Sequence, residues 1–348
     1  MAPANIIGIV EGINFTGEYP MQIMRTPDDR FEGLDGYPFK PNYTNVKAAD
    51  GSDIRIHHID EGEGPLLICM HGQPTWSYLW RKMVAPLTQA GFRVVAPDLV
   101  GFGRSDKPAR QDDYTYVNHV DWMGQWLAAN DFTDATLVCQ DWGGLIGLRM
   151  LTAAPDRFSR IVVANTGLPD NTLVKPETSA ALAQMAPNVP LVSAAELGAK
   201  MGSGAPDAFL HWIKFASESP EFTASSIFSP KTAPEVLKGY EAPFPDESYF
   251  AGARKFPSLV PLMPHHSDDR VDNDKAWEVL GAWDKPVLTA FSDRDPVTKG
   301  GEVAFQKRIP GAKGVAHVTI TDGGHFLQED KPEEFAAAII TFVQAHSA

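Results

Sequence analysis

The chain has 348 residues, long enough to bury a sizeable core without disulfide or metal staples. It is 43% hydrophobic, 21% charged and 10% aromatic, which excludes a disordered chain or a coiled coil. Thirty basic against 44 acidic side chains leave a net charge of -14, which repels phosphate backbones and argues against a nucleic-acid partner. No apolar run reaches the roughly 18 residues of a membrane span, and no basic-then-apolar leader opens the chain. The two cysteines, Cys69 and Cys139, sit inside apolar runs and read as buried core thiols, so a reduced, cytoplasmic life is expected.

The first forty residues, with the stretch RTPDDRFEGLDGYPFKPNY (25–43), are rich in Pro, Gly and Asp and predict an irregular arm laid over a domain. From Tyr43 to His58 apolar and polar residues alternate, as in antiparallel strands at an edge. Five short, nearly all-apolar runs follow: PLLICM (65–70), RVVAPDL (93–99), TLVCQ (136–140), RIVVAN (160–165) and PVLTAF (286–291). Strands buried on both faces of a parallel sheet have this character. Helix-length stretches at Ser77–Ala90, Val117–Asn130 and Gly143–Ala154 separate them, predicting a doubly wound α/β fold.

Residues 170–265 hold no clear strand and carry helical patterns near Ala180–Met185, Ala194–Met201 and Ala208–Phe215. An insertion at the carboxyl edge of a parallel sheet lies where such folds bind ligands, so it predicts a helical cap over a pocket. The expected division is a core of 1–169 and 266–348 with a cap of 170–265.

The chemistry centres on Cys139-Gln140-Asp141-Trp142-Gly143-Gly144, which follows a strand and opens a helix. This is the layout of the Gly-x-Ser-x-Gly nucleophile elbow, with Asp141 in place of serine. A helix N-cap is the plain alternative for Asp141. Phosphate binding is disfavoured, since neither GxGxxG nor a Lys-Ser/Thr pair is present. The loop SDRDPVT (292–298) follows the strand at 286–291, and DGGHFLQED (322–330) follows a short strand ending at Ile320. The order is therefore Asp141, an acid, then His325, the chain order of α/β-hydrolases. Asp295 is preferred as the acid because it lies deeper in the loop, before Pro296, with Asp293 the competitor. The loop after the strand at 65–70 begins His71-Gly72-Gln73. In this fold it supplies one oxyanion-hole N–H, from Gln73, and Trp142 supplies the other. His71 reads as a brace for that loop.

With these residues in view, HGQPTWSYLWRKM, APDLVGFGRSDKP, LVCQDWGGLIGLR, APFPDESYFAGARKFP and DGGHFLQED resemble haloalkane dehalogenases of the α/β-hydrolase fold. The resemblance runs from about Met24 to the C-terminus, and the Asp-Trp elbow is its most specific part. RTPDDRFEGLDGYPFKPNY and APFPD resemble the subfamily that places its triad acid after the cap. The resemblance implies hydrolysis of a carbon–halogen bond to a primary alcohol, halide and a proton through a covalent aspartyl ester, without metal or organic cofactor. It assigns Asp141 as nucleophile, Asp295 as acid and His325 as base. It also implies halide held between the indole N–H groups of Trp142 and Trp212, with Phe209 and Phe256 lining the pocket. Relatives usually carry Asn or Glu where this chain has Gln73, so its side chain either places a water or touches halide. The implied partners are a small halogenated aliphatic substrate and halide ion. The expected state is a monomer or weak homo-oligomer.

A carboxylate suits this chemistry because it is anionic at neutral pH, whereas a serine hydroxyl is not. Halide leaves without a proton, so N–H donors serve where an acid would otherwise stand. The nearest rival is an epoxide hydrolase, which protonates its leaving alkoxide from cap tyrosines; Tyr240 and Tyr249 are the candidates. A ligand receptor on the same fold is the non-enzymatic rival. Halide release from 1,2-dibromoethane against diol formation from styrene oxide separates the three.

Overall fold

The computed structural model describes residues 20–228 and 231–347, so the first nineteen residues of the expected arm lie outside it. Eight strands form one sheet: β1 (Asn42–Lys47), β2 (Asp53–Glu61), β3 (Leu66–Met70), β4 (Arg93–Pro97), β5 (Ala135–Gln140), β6 (Phe158–Ala164), β7 (Val287–Ser292) and β8 (Val318–Ile320). Their order across the sheet is β8-β7-β6-β5-β3-β4-β2-β1. The β2 strand runs antiparallel to β1 and β4, and every other neighbouring pair is parallel. Both faces of the central strands are covered: β3, β5 and β7 are buried at every residue. That is why their sequences are continuous apolar runs rather than alternating ones.

Helices α1 (Arg81–Gln89), α2 (Tyr116–Ala129) and α3 (Trp142–Ala153) connect the first parallel strands. The predicted helix at Ser77–Ala90 opens with a tighter 3-10 turn, Ser77–Trp80, before α1. The region 170–265 holds α4 (Pro176–Met185), α5 (Ala194–Met201), α6 (Ala208–Glu218), α7 (Pro234–Glu241) and α8 (Ala251–Leu259), and no strand among its described residues. The first three match the sequence patterns; α7 and α8 lie outside the helical patterns of this region. The chain then returns through α9 (Ser267–Gly281), α10 (Glu302–Arg308), α11 (Leu327–Asp330) and α12 (Pro332–Ala345).

Residues 20–41 form no α-helix, as expected of an arm. Ile23–Met24 pairs with Lys107–Pro108, and Thr26 Oγ1 donates to the Pro243 carbonyl at 2.7 Å, seating the arm beside the region of α7 and α8. Strands β3, β5, β6, β7 and β8 end on one edge of the sheet, and the loops there carry His71–Thr75, Asp141, Asn165, Asp295 and His325.

Candidate active site

Asp141 sits between β5 and α3 with φ 51° and ψ −129°, a conformation that side-chain-bearing residues rarely adopt. Such a turn costs on the order of 1–3 kcal/mol and persists only when its surroundings over-determine it. Those surroundings are visible. Asp141 N–H donates to the Asn165 carbonyl at 3.0 Å, and Thr166 Oγ1 donates to the Asp141 carbonyl at 2.6 Å. A Cβ on Gly143 would strike the main-chain carbonyls of Met70 and His71, and one on Gly72 would strike the Asp141 side chain. Glycine at these two positions is what lets β3 and its loop close against the turn.

The Asp141 carboxylate faces two loops. Its Oδ1 accepts from the Gln73 main-chain N–H at 2.7 Å, and its Oδ2 lies 3.3 Å from His325 Nε2. His325 Nδ1 lies 2.9 Å from Asp295 Oδ1. The three side chains expected from three separate loops therefore form one chain, Asp295–His325–Asp141. Asp295 is held by the main-chain N–H of Val297 at 2.8 Å, the N–H of Thr298 at 3.1 Å and the Thr298 hydroxyl. Asp293, the competing acid, accepts from the Asp322 N–H at 2.8 Å and pins the turn after β8 instead. Burial disfavours charge on both triad partners, yet their pairing wins. The charge of Asp295 and hydrogen bonds to Asp141 and Asp295 raise His325 to about 10, while His325, Thr298 and the Val297 N–H lower Asp295 to about 2.

His71 is a brace, as its position suggested: its Nε2 accepts from the Leu99 N–H at 2.9 Å and its Nδ1 donates to the Gly72 carbonyl at 2.8 Å. Burial lowers its pKa, consistent with a neutral ring making both bonds. Of the two expected oxyanion donors, Gln73 N–H touches Asp141 Oδ1; the Trp142 N–H, at the first residue of α3, makes no hydrogen bond among the described residues.

Trp142 packs edge-on against Tyr116, with ring centroids 5.3 Å apart, and against Phe256 at 4.9 Å. Phe256, fully buried on α8, also meets Phe102 at 4.8 Å and His119 at 4.6 Å. Trp212 is half-buried on α6, its ring 5.8 Å from Phe222 and 6.2 Å from Phe215. Three other indoles donate to protein acceptors: Trp76 to Gly239, Trp126 to His58 and Trp277 to Leu168. No such bond is made by Trp142 or Trp212 among the described residues, nor by the buried Trp80 and Trp283. Phe209 lies on α6 three positions before Trp212 and is half-buried, without a ring pairing among the described residues.

Sequence reasoning missed the supports of the histidine loop. Asn165 Nδ2 donates to the His325 carbonyl at 3.0 Å and to the Gly324 carbonyl at 2.9 Å, and Gln140 Nε2 donates to the His325 carbonyl at 3.1 Å. It also missed Glu329, which accepts from Tyr240 Oη at 2.6 Å, from Lys82 at 2.7 Å and from Arg81. No sequence signal marks these, since each partner lies far along the chain. Tyr240, one of the two tyrosines an epoxide hydrolase would need, is thereby committed to Glu329. Among the described residues, no group of three or more His, Cys, Asp or Glu is placed to hold a metal ion, and no helix is long and apolar enough to cross a membrane.

Residues 65–198 match the α/β-hydrolase fold family. A haloalkane dehalogenase of Psychrobacter cryohalolentis is 46% identical over 330 residues, covering 93% of this chain and 98% of that protein. One of Mycolicibacterium paratuberculosis is 45% identical over 332 residues, covering 93% and 99%. Among solved structures, the tetrameric haloalkane dehalogenase of Paraglaciecola agarilytica superposes with a TM-score of 0.75 at 30% identity, covering 91% of this chain and 97% of that one. By its Asp-Trp elbow, its eight-stranded sheet and this degree of identity, the chain belongs to the haloalkane dehalogenase family of the α/β-hydrolase fold.

Proposed function

We propose that the chain hydrolyses haloalkanes to a primary alcohol, halide and a proton, with Asp141 as nucleophile, His325 as base and Asp295 as its orienting acid. The carrying observation is the chain of contacts Asp295–His325–Asp141, at 2.9 and 3.3 Å, ending on a strained elbow. Asp141 Oδ1 is held by the Gln73 N–H at 2.7 Å and Oδ2 only by the longer 3.3 Å contact with His325, so Oδ2 attacks. A bond forms from Oδ2 to the substrate carbon, and the carbon–halogen pair leaves with the halide. The indole N–H groups of Trp142 and Trp212, neither spent on a protein acceptor, receive it, with Phe209 and Phe256 lining the apolar space.

In the second step His325 Nε2 takes a proton from water, whose oxygen attacks Asp141 Cγ. Negative charge builds on Oδ1 against the N–H groups of Gln73 and Trp142; each such donor is worth roughly 3–4 kcal/mol. The Cγ–Oδ2 bond then breaks, the alcohol oxygen takes the proton from His325, and the restored Asp141 carboxyl releases the water's second proton. Timing follows from charge. With Asp141 anionic, two carboxylates hold the proton on His325, at a pKa of about 10. Alkylation cancels one of them, so the imidazolium gives its proton to solvent and becomes a base after the ester has formed.

The division into a core of 1–169 and 266–348 and a cap of 170–265 is supported by the placement of every sheet strand outside the second range. Two buried, unpaired thiols, Cys69 and Cys139, fit a cytoplasmic location. The Paraglaciecola relative is tetrameric; for this chain a monomer or weak homo-oligomer is the reading that light scattering tests.

The experiment is His325→Phe incubated with 1,2-dibromoethane. The variant is expected to alkylate once and stop, and peptide mass spectrometry to find one substrate-derived group on Asp141. An unmodified Asp141 after prolonged exposure overturns the covalent mechanism.

A further inference from the structure

The side chain of Gln73 has a use that the oxyanion hole does not require. Helix α8 carries Pro257 in its interior. Proline has no N–H, so the carbonyl four residues earlier, that of Ala253, lacks its helical donor. A buried carbonyl without a partner is costly. Gln73 Nε2 supplies the missing donor at 2.7 Å, in a buried contact between residues 180 positions apart. The same residue's main-chain N–H reaches Asp141 Oδ1, also at 2.7 Å.

The two bonds of Gln73 thus join α8 to the elbow. Helix α8 is pressed on the site by more than this one contact: Phe256 meets Trp142 at 4.9 Å, and Gly252 lies so close to Tyr114 that a Cβ there would fall 2.6 Å from the ring. The reach is specific to glutamine. Asparagine is one methylene shorter, and an ionised glutamate would turn an acceptor toward the carbonyl.

We propose that the Gln73 side chain is a positioning residue: by filling the Ala253 carbonyl that Pro257 leaves open, it sets the Gln73 main-chain N–H on the Asp141 carboxylate. The inference rests on Asp141 being the nucleophile. It separates the side chain from halide binding, since the amide is directed to α8. It also makes the oxyanion donor depend on the seating of α8, so that ester hydrolysis is fastest when that helix is packed down.

The test is a four-protein cycle of wild type, Gln73→Met, Pro257→Ala and the double variant, reading the halide burst, kcat, halide quenching of tryptophan fluorescence and melting temperature. Methionine keeps the length and removes the donor. Losing one hydrogen bond of this kind is expected to lower kcat by about tenfold, with one halide per site still released in the burst. Alanine at 257 returns an N–H to the Ala253 carbonyl, so the Gln73→Met loss is expected to shrink to about threefold or less in that background. Equal losses in both backgrounds overturn the proposal. So does a fall in melting temperature with kcat intact, or a loss of halide quenching as the main effect. Should Gln73→Met fail to fold, the isosteric Gln73→Glu carries the same comparison. Failure of the Asp141 reading is distinguishable, because it appears as an unalkylated His325→Phe variant.

Discussion

Asp295→Asn tests the triad at its most exactingly built residue. The Asp295 carboxylate meets four donors: His325 Nδ1 at 2.9 Å and the Val297 N–H at 2.8 Å on Oδ1, and the Thr298 N–H at 3.1 Å and the Thr298 hydroxyl on Oδ2. Asparagine offers one oxygen. If its amide nitrogen faces His325, it donates to Nδ1, forces the proton onto Nε2 and removes the base. If it faces Thr298, two N–H groups oppose each other and the imidazolium still loses its counter-charge. Two unit charges 2.9 Å apart, at an effective dielectric of about 20, interact by roughly 6 kcal/mol, an upper bound of about four decades in rate. The same exchange in a Ser-His-Asp triad costs about 10,000-fold. We expect steady-state turnover to fall about 1,000- to 10,000-fold. Alkylation needs no base, so rapid mixing with 1,2-dibromoethane is expected to show one halide per site released at near the wild-type rate before turnover stalls. Asp293→Asn keeps an oxygen for the Asp322 N–H and is expected to cost under about tenfold. A missing burst in Asp295→Asn, or equal losses for the two variants, refutes the reasoning.

Trp212→Phe keeps an aromatic ring and removes one N–H; a lost bond to an anion costs about 1.5–3 kcal/mol, so the halide burst slows about ten- to a hundredfold and halide quenching weakens, whereas a lower melting temperature with intact rate would make Trp212 a packing residue. Two buried histidines that act as acceptors contribute to acid lability. His58 accepts from Trp126 at 3.3 Å and His266 from the Met263 N–H at 3.4 Å, and burial first, with neighbouring positive charge, lowers each to about 4. A folded-state pKa below the ordinary 6.5 gives stability present above pH 6.5 and lost as the pH falls toward 4, up to about 3 kcal/mol for His58 and less for the less buried His266; a urea midpoint that holds steady from pH 7 to 4.5 would refute this. His325 acts in the opposite sense: raised to about 10, its contribution is full below pH 6.5 and lost as the pH rises through 10, so the midpoint in the same titration also declines on the alkaline side.

Much of this protein is legible from local pattern. Continuous apolar runs mark strands buried on both faces, and β3, β5 and β7 are buried at every residue. The elbow is legible because a strand must turn sharply into a helix there, and only small residues clear the Met70 and His71 carbonyls. The order of nucleophile, acid and histidine follows from which loop succeeds which strand. Pattern fails where burial is mixed with charge. Helix α9 escapes the pattern because its buried positions include Arg270 and Asn273, which blur the apolar stripe of an amphipathic helix.

The remaining decisions belong to the tertiary structure. Asp293 and Asp295 share one loop and one side-chain type; what separates them is that Val297 and Thr298 fold back on Asp295 and aim it at His325, while Asp293 turns to Asp322. The role of Tyr240 is decided by Glu329, 89 residues away, which accepts from it. That of Gln73 is decided likewise: its amide finds its carbonyl 180 residues downstream because a proline removed the nearer donor. Periodicity and turn chemistry report how a residue meets water and its own neighbours in the chain. Which polar groups satisfy one another across the molecule is decided only when the elements pack, because each buried donor then takes whichever acceptor the packing brings within reach.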